Sequence, residues 1–203
     1  MYLWKYKSMD EKQNLPKGLI IVDDFISLDD EKSFISFLDE KDGEKWSAIT
    51  KSASSRRVQH YGYKYDYKSK KTGESLKTTP IPSIFDDLLN KLEKYHSKIP
   101  EQLIVNEYLK KQGISAHYDS ISFGPVITTI SLGNEAVMIF RNRETKESIS
   151  VPLFPRQAVF MNEDSRYKWT HEIPPTIKYV INGENKKRDN DWRRISLTFR
   201  TIC

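Results

Sequence analysis

The sequence predicts an α+β protein that is mainly β, with its helices confined to the N-terminal part. Two segments before residue 101 carry apolar residues at helical spacing. From about residue 101, eight short segments rich in β-branched and aromatic residues follow one another, separated by turn residues and with no helical segment between them. Such a succession of strands is typical of a β-sandwich or barrel and argues against a parallel α/β sheet. In chain order the eight segments are QLIVNEYL, GISAHYD, PVITTISLG, AVMIF, SISVPLF, RQAVFMN, KWTHEI and RRISLTFR.

The N-terminal part supplies one predicted strand, GLIIVDDF, and two predicted helices. Ser27 and Asp30 form a predicted capping box before LDDEKSFISFLDE, in which Phe34, Phe37 and Leu38 share one face. The second helix is predicted to begin at Ser83, because six apolar residues recur at helical spacing from there. We interpret both helices as scaffold. The six residues are Ile84, Phe85, Leu88, Leu89, Leu92 and Tyr95.

Composition limits the kind of protein that this chain forms. Its 203 residues suit one domain, and 12% aromatic residues argue against a disordered chain. The net charge of +5 permits a polyanionic partner without requiring one. Since the single cysteine is Cys203, no intrachain disulfide forms, which favours a reducing compartment such as cytoplasm or nucleus. No apolar run reaches the roughly 18 residues that span a bilayer. We expect an intracellular monomer that does not bind a membrane.

Three residues in the strand segments form a candidate metal site. His117 and Asp119 are two residues apart, so on a strand both side chains point to the same face. His171 lies 52 residues after Asp119 and supplies a third ligand. Two imidazoles and one carboxylate leave half of an octahedron open, which is expected for non-haem Fe(II) that must also bind a co-substrate and dioxygen. The alternative is a packed histidine beside a solvated aspartate.

The last strand segment, RRISLTFR, has one polar face. Arg194 and Arg200 lie on this face with two hydroxyl residues, and the apolar residues alternate with them. Burial of two unpaired guanidinium groups is costly, so we expect an anion to meet them. Their Cα atoms are about 20 Å apart along an extended strand, so both reach a small dicarboxylate only by leaning together. Two arginines paired with surface carboxylates are the alternative.

A second strand segment, QLIVNEYL, also places polar groups on one face. Asn106 and Tyr108 share this face with Ile104. An amide and a phenol that point inward indicate hydrogen bonds to a carboxylate. The alternative is a core tyrosine whose hydroxyl is satisfied locally.

The motifs in these segments resemble those of the AlkB-like Fe(II)/2-oxoglutarate-dependent dioxygenases. The resemblance covers about residues 18 to 202, with the motifs in the family's order, and RRVQHYGYKYDY also resembles the transfer-RNA wobble-uridine hydroxylase branch. It implies a double-stranded β-helix (jelly-roll) with N-terminal helices packed on the outside. The motifs are NEY at 106–108, HYD at 117–119, ISLG at 130–133, SRYKWTH at 165–171 and RRISLTFR at 193–200.

The resemblance also implies roles for individual residues. Catalytic iron ligands are expected at His117, Asp119 and His171, and Arg194 is expected to bind the distal carboxylate of 2-oxoglutarate. Ser196 stands where many family members have asparagine, which argues against a co-substrate contact there. Fe(II), 2-oxoglutarate and O2 are the implied cofactor and co-substrates. The expected 2-oxoglutarate contacts are Asn106, Tyr108, Arg194 and Arg200.

One domain over residues 1–203 is expected on this basis. Residues 1–17 form an extension, residues 18–100 contain the helices and a nucleotide-recognition lid, and residues 101–203 form the double-stranded β-helix core. No internal repeat or second domain is found. The hydrophilic stretch 176–192 is predicted to be a surface loop, or alternatively a flap that contacts substrate.

The segment RRVQHYGYKYDYK places a tyrosine at every second position. Tyr63 and Tyr65 match the lid segment of the family and are candidate substrate contacts, whereas Tyr61 and Tyr67 are interpreted as support. This division requires the strand to bend after Gly62. A strand with one aromatic face packed in the core is the alternative.

The predicted reaction is oxidation of a modified or alkylated nucleobase in RNA or DNA, by demethylation or by hydroxylation. It would serve transfer-RNA modification or DNA repair. One alternative is the same oxygenase chemistry on a protein or lipid substrate. A second alternative is a binding module with the same fold and no catalysis.

Overall fold

The computed structural model describes residues 15–40, 46–50, 55–65 and 76–203, and its centre is a pair of antiparallel β-sheets. Apolar side chains from both sheets share one buried cluster, which includes Ile127, Phe140 and Val151. The larger sheet contains seven strands. In spatial order these are β1 (Leu19–Val22), β9 (Ala158–Met161), β6 (Phe123–Gly133), β13 (Arg193–Ile202), β4 (Gln102–Leu109), β3 (Arg57–Tyr61) and β2 (Ser47–Ala48).

The smaller sheet has four strands and faces the larger one across this cluster. Its β5 carries His117 and pairs with β10, so that His117 lies directly opposite His171. A two-stranded hairpin lies outside both sheets. The strands of the smaller sheet are, in spatial order, β5 (Ile114–His117), β10 (Trp169–Ile173), β7 (Ala136–Asn142) and β8 (Ser148–Leu153), and the hairpin is β11 (Lys178–Ile181) with β12 (Glu184–Lys187).

Two helices cover the outer face of the larger sheet, and a third precedes β10. The first helix, α1 (Leu28–Asp39), has the predicted capping box: the amide of Asp30 donates to Ser27 Oγ at 3.0 Å, and the Ser27 amide donates to the Asp30 carboxylate at 2.9 Å. The second, α2 (Asp86–His96), begins later than predicted. A 3-10 turn, Ser83–Phe85, precedes it, as is frequent at the start of α-helices. The third is α3 (Glu163–Tyr167).

The central strand of the larger sheet, β13, separates two different environments. Ile195, Leu197 and Phe199 are buried beneath the helices with residues such as Phe34 and Leu92. The alternate residues, which begin with Arg194 and end with Arg200, face the space between the sheets. This alternation follows from the period of two in a strand, and it confirms the predicted polar face.

The mainly β, double-stranded β-helix fold is confirmed, because each of the eight predicted segments contains a strand. The hydrophilic stretch 176–192 differs from the predicted loop, since it forms the β11–β12 hairpin. Asn182 and Gly183 both have positive φ at its turn, the geometry that an Asn-Gly hairpin adopts. Arg188 holds the hairpin in place: its buried guanidinium lies 4.1 Å from the ring centroid of Trp192 and donates to the carbonyls of Gln112 and Pro174.

Gly62 ends β3 and turns the tyrosine-rich segment away from the sheet. Its φ is +75°, and its amide donates to the carbonyl of Thr79 at 2.6 Å. A Cβ atom at this position would overlap the carbonyl oxygen of Glu101. Gly183 has a similar φ of +80°, but no atom lies within 4 Å of its Cβ position.

We expect Gly62→Ala to lower the free energy of unfolding by about 2 to 4 kcal/mol, because it adds a backbone overlap to the strain of a left-handed alanine. Gly183→Ala is the matched control, since it introduces only the strain, and should cost about 1 kcal/mol. Urea unfolding of both variants measures the difference. Equal losses would show that the contact with Glu101 imposes no constraint on the turn.

Candidate active site

The two sheets enclose a cavity of about 690 Å³, a volume usual for small-molecule sites. All seven residues predicted to bind metal or co-substrate line it. Strands β5 and β10 of the smaller sheet carry His117 and His171, and Asp119 follows β5 by two residues. The other four lie on the inner faces of β4 and β13 and are Asn106, Tyr108, Arg194 and Arg200.

The candidate metal-binding side chains converge in this cavity. The ring centroids of His117 and His171 are 4.4 Å apart, and His171 Nε2 lies 3.8 Å from Asp119 Oδ2. His117 Nδ1 is 2.8 Å from the carbonyl oxygen of Ser115, which leaves Nε2 available as a ligand. Two nitrogens and one carboxylate oxygen are therefore presented on one side of the cavity. This donor set fits Fe(II) with open positions.

The charge states of these groups suit metal binding. Burial lowers the pKa of His171 to about 3, and it also lowers the pKa of His117. Burial alone would raise the pKa of Asp119, but the surrounding positive groups, of which Arg200 contributes most, together hold that pKa below its ordinary value. Neutral imidazoles and an ionised carboxylate are the forms that coordinate metals.

Asp119 is held by two buried arginines. Arg200 donates from Nε at 2.9 Å and from Nη2 at 2.6 Å to Asp119 Oδ1, so Oδ2 remains on the side of His171. Arg166 donates to the backbone carbonyls of Asp119 and Ser120, at 2.8 and 2.6 Å. The sequence interpretation did not assign a role to Arg166, because its partners lie 46 and 47 residues away along the chain.

The two arginines of β13 differ in their partners. Arg200 has an anionic partner within the chain, Asp119, and also donates to Gln102 at 3.0 Å. Arg194 is 1% exposed; it donates to Ser131 Oγ at 2.9 Å, and its guanidinium lies 5.5 Å from the ring centroid of Tyr108. Its Nε has no hydrogen-bond acceptor, and no carboxylate in the described ranges pairs with it. Burial lowers the pKa of Arg194 to about 10.

Asn106 is oriented by a residue that the sequence interpretation missed. Arg56 Nε donates to Asn106 Oδ1 at 2.9 Å, and both side chains line the cavity. Since the amide oxygen is occupied, the amide nitrogen of Asn106 is left as a donor. The signal for Arg56 was its place in the basic segment before the tyrosines, but the contact joins positions 50 residues apart.

The tyrosines of the tyrosine-rich segment differ in their positions from the prediction. Tyr65 lines the cavity, and its ring centroid lies 6.0 Å from that of Phe123. Tyr63 is buried and is not part of the cavity wall, so its predicted contact with substrate is not supported. The reason is the turn at Gly62, after which Tyr63 bridges to Lys77 instead of continuing β3. Tyr61 is in the outer core as predicted, and Tyr67 lies outside the described residues.

Comparison with known proteins identifies relatives for most of the chain. A family model described as the 2OG-Fe(II) oxygenase superfamily matches residues 20–200. The tRNA (carboxymethyluridine(34)-5-O)-methyltransferase ALKBH8 of Macaca fascicularis is 36% identical over 166 residues, which are 79% of this chain and 25% of that protein. The uncharacterised protein L905 of Acanthamoeba polyphaga mimivirus is 32% identical over 206 residues, which are 98% of this chain and 90% of that protein.

The chain thus spans about a quarter of the length of ALKBH8. Among solved structures, that of OsALKBH1 has a TM-score of 0.65 at 16% identity and covers 92% of this chain and 97% of its own. At this identity the likeness concerns the fold. No helix in the described part of the chain is long and apolar enough to cross a membrane.

We expect Asp119→Ala to lower the free energy of unfolding of the metal-free protein by about 3 kcal/mol, because it leaves the buried Arg200 charge without its carboxylate. His117→Ala is the control, since it removes a side chain less buried than Asp119 and leaves no buried charge without a partner, and should cost less than about 1.5 kcal/mol. The measurement is urea unfolding in the presence of a chelator. If both variants lose the same stability, the Arg200–Asp119 pair is not a structural element of the cavity.

Proposed function

The chain belongs to the AlkB-like group of the 2OG-Fe(II) oxygenase superfamily, and from that premise we propose that it oxidises a modified or alkylated nucleobase in RNA or DNA. The observation that carries the proposal is the content of the cavity. A histidine–aspartate–histidine set lines one space with a buried guanidinium that no carboxylate of the described residues pairs with, and a tyrosine lies on the wall. The product is a demethylated or a hydroxylated base.

His117, Asp119 and His171 are the proposed ligands of Fe(II). Their convergence, the neutral imidazoles and the ionised carboxylate support this assignment. When bound, the iron supplies the oxidising chemistry together with 2-oxoglutarate and O2. Arg200 and Arg166 act as positioning residues, because they hold the side chain and the backbone of Asp119. Contact between Arg200 and 2-oxoglutarate stays a prediction.

Arg194 is the proposed partner of the distal carboxylate of 2-oxoglutarate. A buried guanidinium has a high desolvation cost unless an anion pairs with it, and a carboxylate matches its fork of donors. Tyr108, 5.5 Å from this guanidinium, and Asn106, which is left with a free amide donor, line the same cavity. Both are proposed to donate hydrogen bonds to the co-substrate, so one wall holds it while the opposite wall holds the metal.

Three features support a nucleobase as the substrate. Tyr65 places a ring on the cavity wall, and an aromatic ring can replace the stacking that a base loses when it leaves a strand. The name of the relative ALKBH8 refers to a carboxymethyluridine of transfer RNA. The net charge of +5 agrees with a polyanionic substrate.

We expect single-stranded RNA or DNA carrying modified bases to stimulate succinate formation by the protein in the presence of Fe(II), 2-oxoglutarate and O2. His171→Ala should reduce this rate by at least about a hundredfold, because a proposed metal ligand is lost. Succinate is quantified together with nucleoside masses, which distinguish loss of an alkyl group from gain of one oxygen. Stimulation by peptide or lipid but by no nucleic acid would contradict the proposed substrate.

Arg194→Lys should raise the 2-oxoglutarate concentration needed for half-maximal turnover by roughly 10- to 100-fold, since lysine keeps the charge but loses the two-pronged contact. Arg193→Lys is the matched control. The adjacent Arg193 binds Asp39 and Glu107 on the opposite face of β13, so the same change there should alter the requirement less than about twofold. A requirement unchanged by Arg194→Lys would remove Arg194 from the co-substrate site.

A further inference from the structure

Two exposed apolar side chains lie on the wall of the active-site cavity. Tyr118, which stands between two proposed metal ligands just after the end of β5, is 48% exposed and lines the cavity. Ile121 is 80% exposed and also lines the cavity. Exposed apolar residues that occur singly are ordinary on protein surfaces. These two occur together on one cavity wall.

An exposed arginine lies on Tyr118. The guanidinium carbon of Arg143 is 4.5 Å from the centroid of the Tyr118 ring. Arg143 follows the end of β7, where its amide donates to the carbonyl of Lys168 and its Nη1 donates to the carbonyl of Tyr167 at 3.4 Å. This backbone attachment fixes its position beside the cavity.

Arg143 differs from the neighbouring exposed arginine in its charge balance. Arg141, two residues earlier, is paired with Glu172 at 2.8 Å. No carboxylate in the described ranges forms an ion pair with Arg143, so its charge is not neutralised within that part of the chain. A guanidinium stacked on a ring keeps its edge available to bind an anion such as phosphate.

We propose that Tyr118, Ile121 and Arg143, here termed the Tyr118 rim, bind the nucleotide that neighbours the oxidised base in a single-stranded nucleic acid. Arg143 pairs with a phosphate of that nucleotide, and its base packs on Tyr118 and Ile121. This combination of an unpaired cation with flat apolar surface matches a nucleotide, which carries an anion beside an aromatic face. The inference rests on the proposed function and adds a contact to the nucleotide next to the oxidised base.

The rim accounts for the exposure of Tyr118 and Ile121. A base that enters the cavity stays connected to its neighbouring nucleotides, so the nucleic-acid strand must cross the cavity mouth. Contacts that do not depend on base sequence hold the strand there. Tyr65 lines the cavity through its contact with Phe123, and Ile121 is two residues from Phe123. In this proposal the nucleic-acid strand contacts Tyr118 beside the metal ligands and Tyr65 in the lid segment.

The test measures binding of a short fluorescein-labelled single-stranded RNA, and of DNA with the same sequence, to the full chain with Fe(II) and 2-oxoglutarate under anaerobic conditions. Fluorescence anisotropy is recorded over a series of salt concentrations. Arg143→Gln should weaken binding and reduce the slope of log affinity against log salt by about 0.7 to 1, the change for one lost phosphate contact. Lys32→Gln on α1, on the far side of the larger sheet, removes one charge as a control and should change neither quantity.

A second pair of variants tests the stacking surface. Tyr118→Ala should weaken binding by roughly 5- to 150-fold, whereas Tyr118→Phe, which keeps the ring, should bind as the wild type does. If Arg143→Gln and Lys32→Gln behave alike while the wild type binds with a steep salt dependence, the rim is wrong but the proposed substrate stands. If the wild type binds neither nucleic acid, or if Arg143→Gln instead loses affinity for an acidic peptide, both proposals fail.

Discussion

The burial of arginine charge between two β-sheets is the constraint on which the cavity depends. A guanidinium removed from water needs hydrogen-bond acceptors and, to remain charged at low cost, an anion. Arg200 receives its anion from the chain, through Asp119, and in doing so orients the carboxylate toward His171. Arg194 lacks such an anion in the described residues, and the proposed 2-oxoglutarate carboxylate would supply one. The cost of burying a guanidinium therefore positions Asp119 at Arg200 and favours the binding of an anion at Arg194.

The central strand β13 links the position of these arginines to the packing of the fold. Its residues face the helices and the cavity in turn, so the packing of Leu197 and Phe199 beneath the helices fixes the side on which Arg194 and Arg200 emerge. A slip of one residue would move both arginines into the apolar layer and place the apolar side chains in the cavity. Because β13 is hydrogen-bonded on both sides, to β4 and β6, its register is fixed by sixteen cross-strand partners. Fold stability and site geometry are therefore determined by the same pairing.

The strands and the polar face of β13 could be predicted because their signals are local. Alternation along RRISLTFR, or the two-residue spacing of His117 and Asp119, is visible within one segment. Arg166 and Arg56 could not be found in this way, since each acts on a residue about 50 positions away and only the folded chain brings them together. The Asn-Gly pair at 182–183 is a sequence signal for a hairpin turn, but the hydrophilic composition of the stretch favoured a loop. The position of Tyr63 could not be predicted either, because it depends on the bend at Gly62 and on the bridge to Lys77.

The two arginines that hold Asp119 have a consequence for how the protein acquires its metal. A carboxylate fixed by Arg200 and Arg166 does not need to rearrange when an ion arrives. On the proposed assignment, such a rigid set of nitrogen and oxygen donors discriminates poorly among divalent ions, whose affinities for it rise from manganese through iron and cobalt to nickel and copper. Selection of iron over these competitors then rests on which ions the surroundings supply. On that assignment, the rigidity that suits the site to iron also allows the wrong divalent ion to bind.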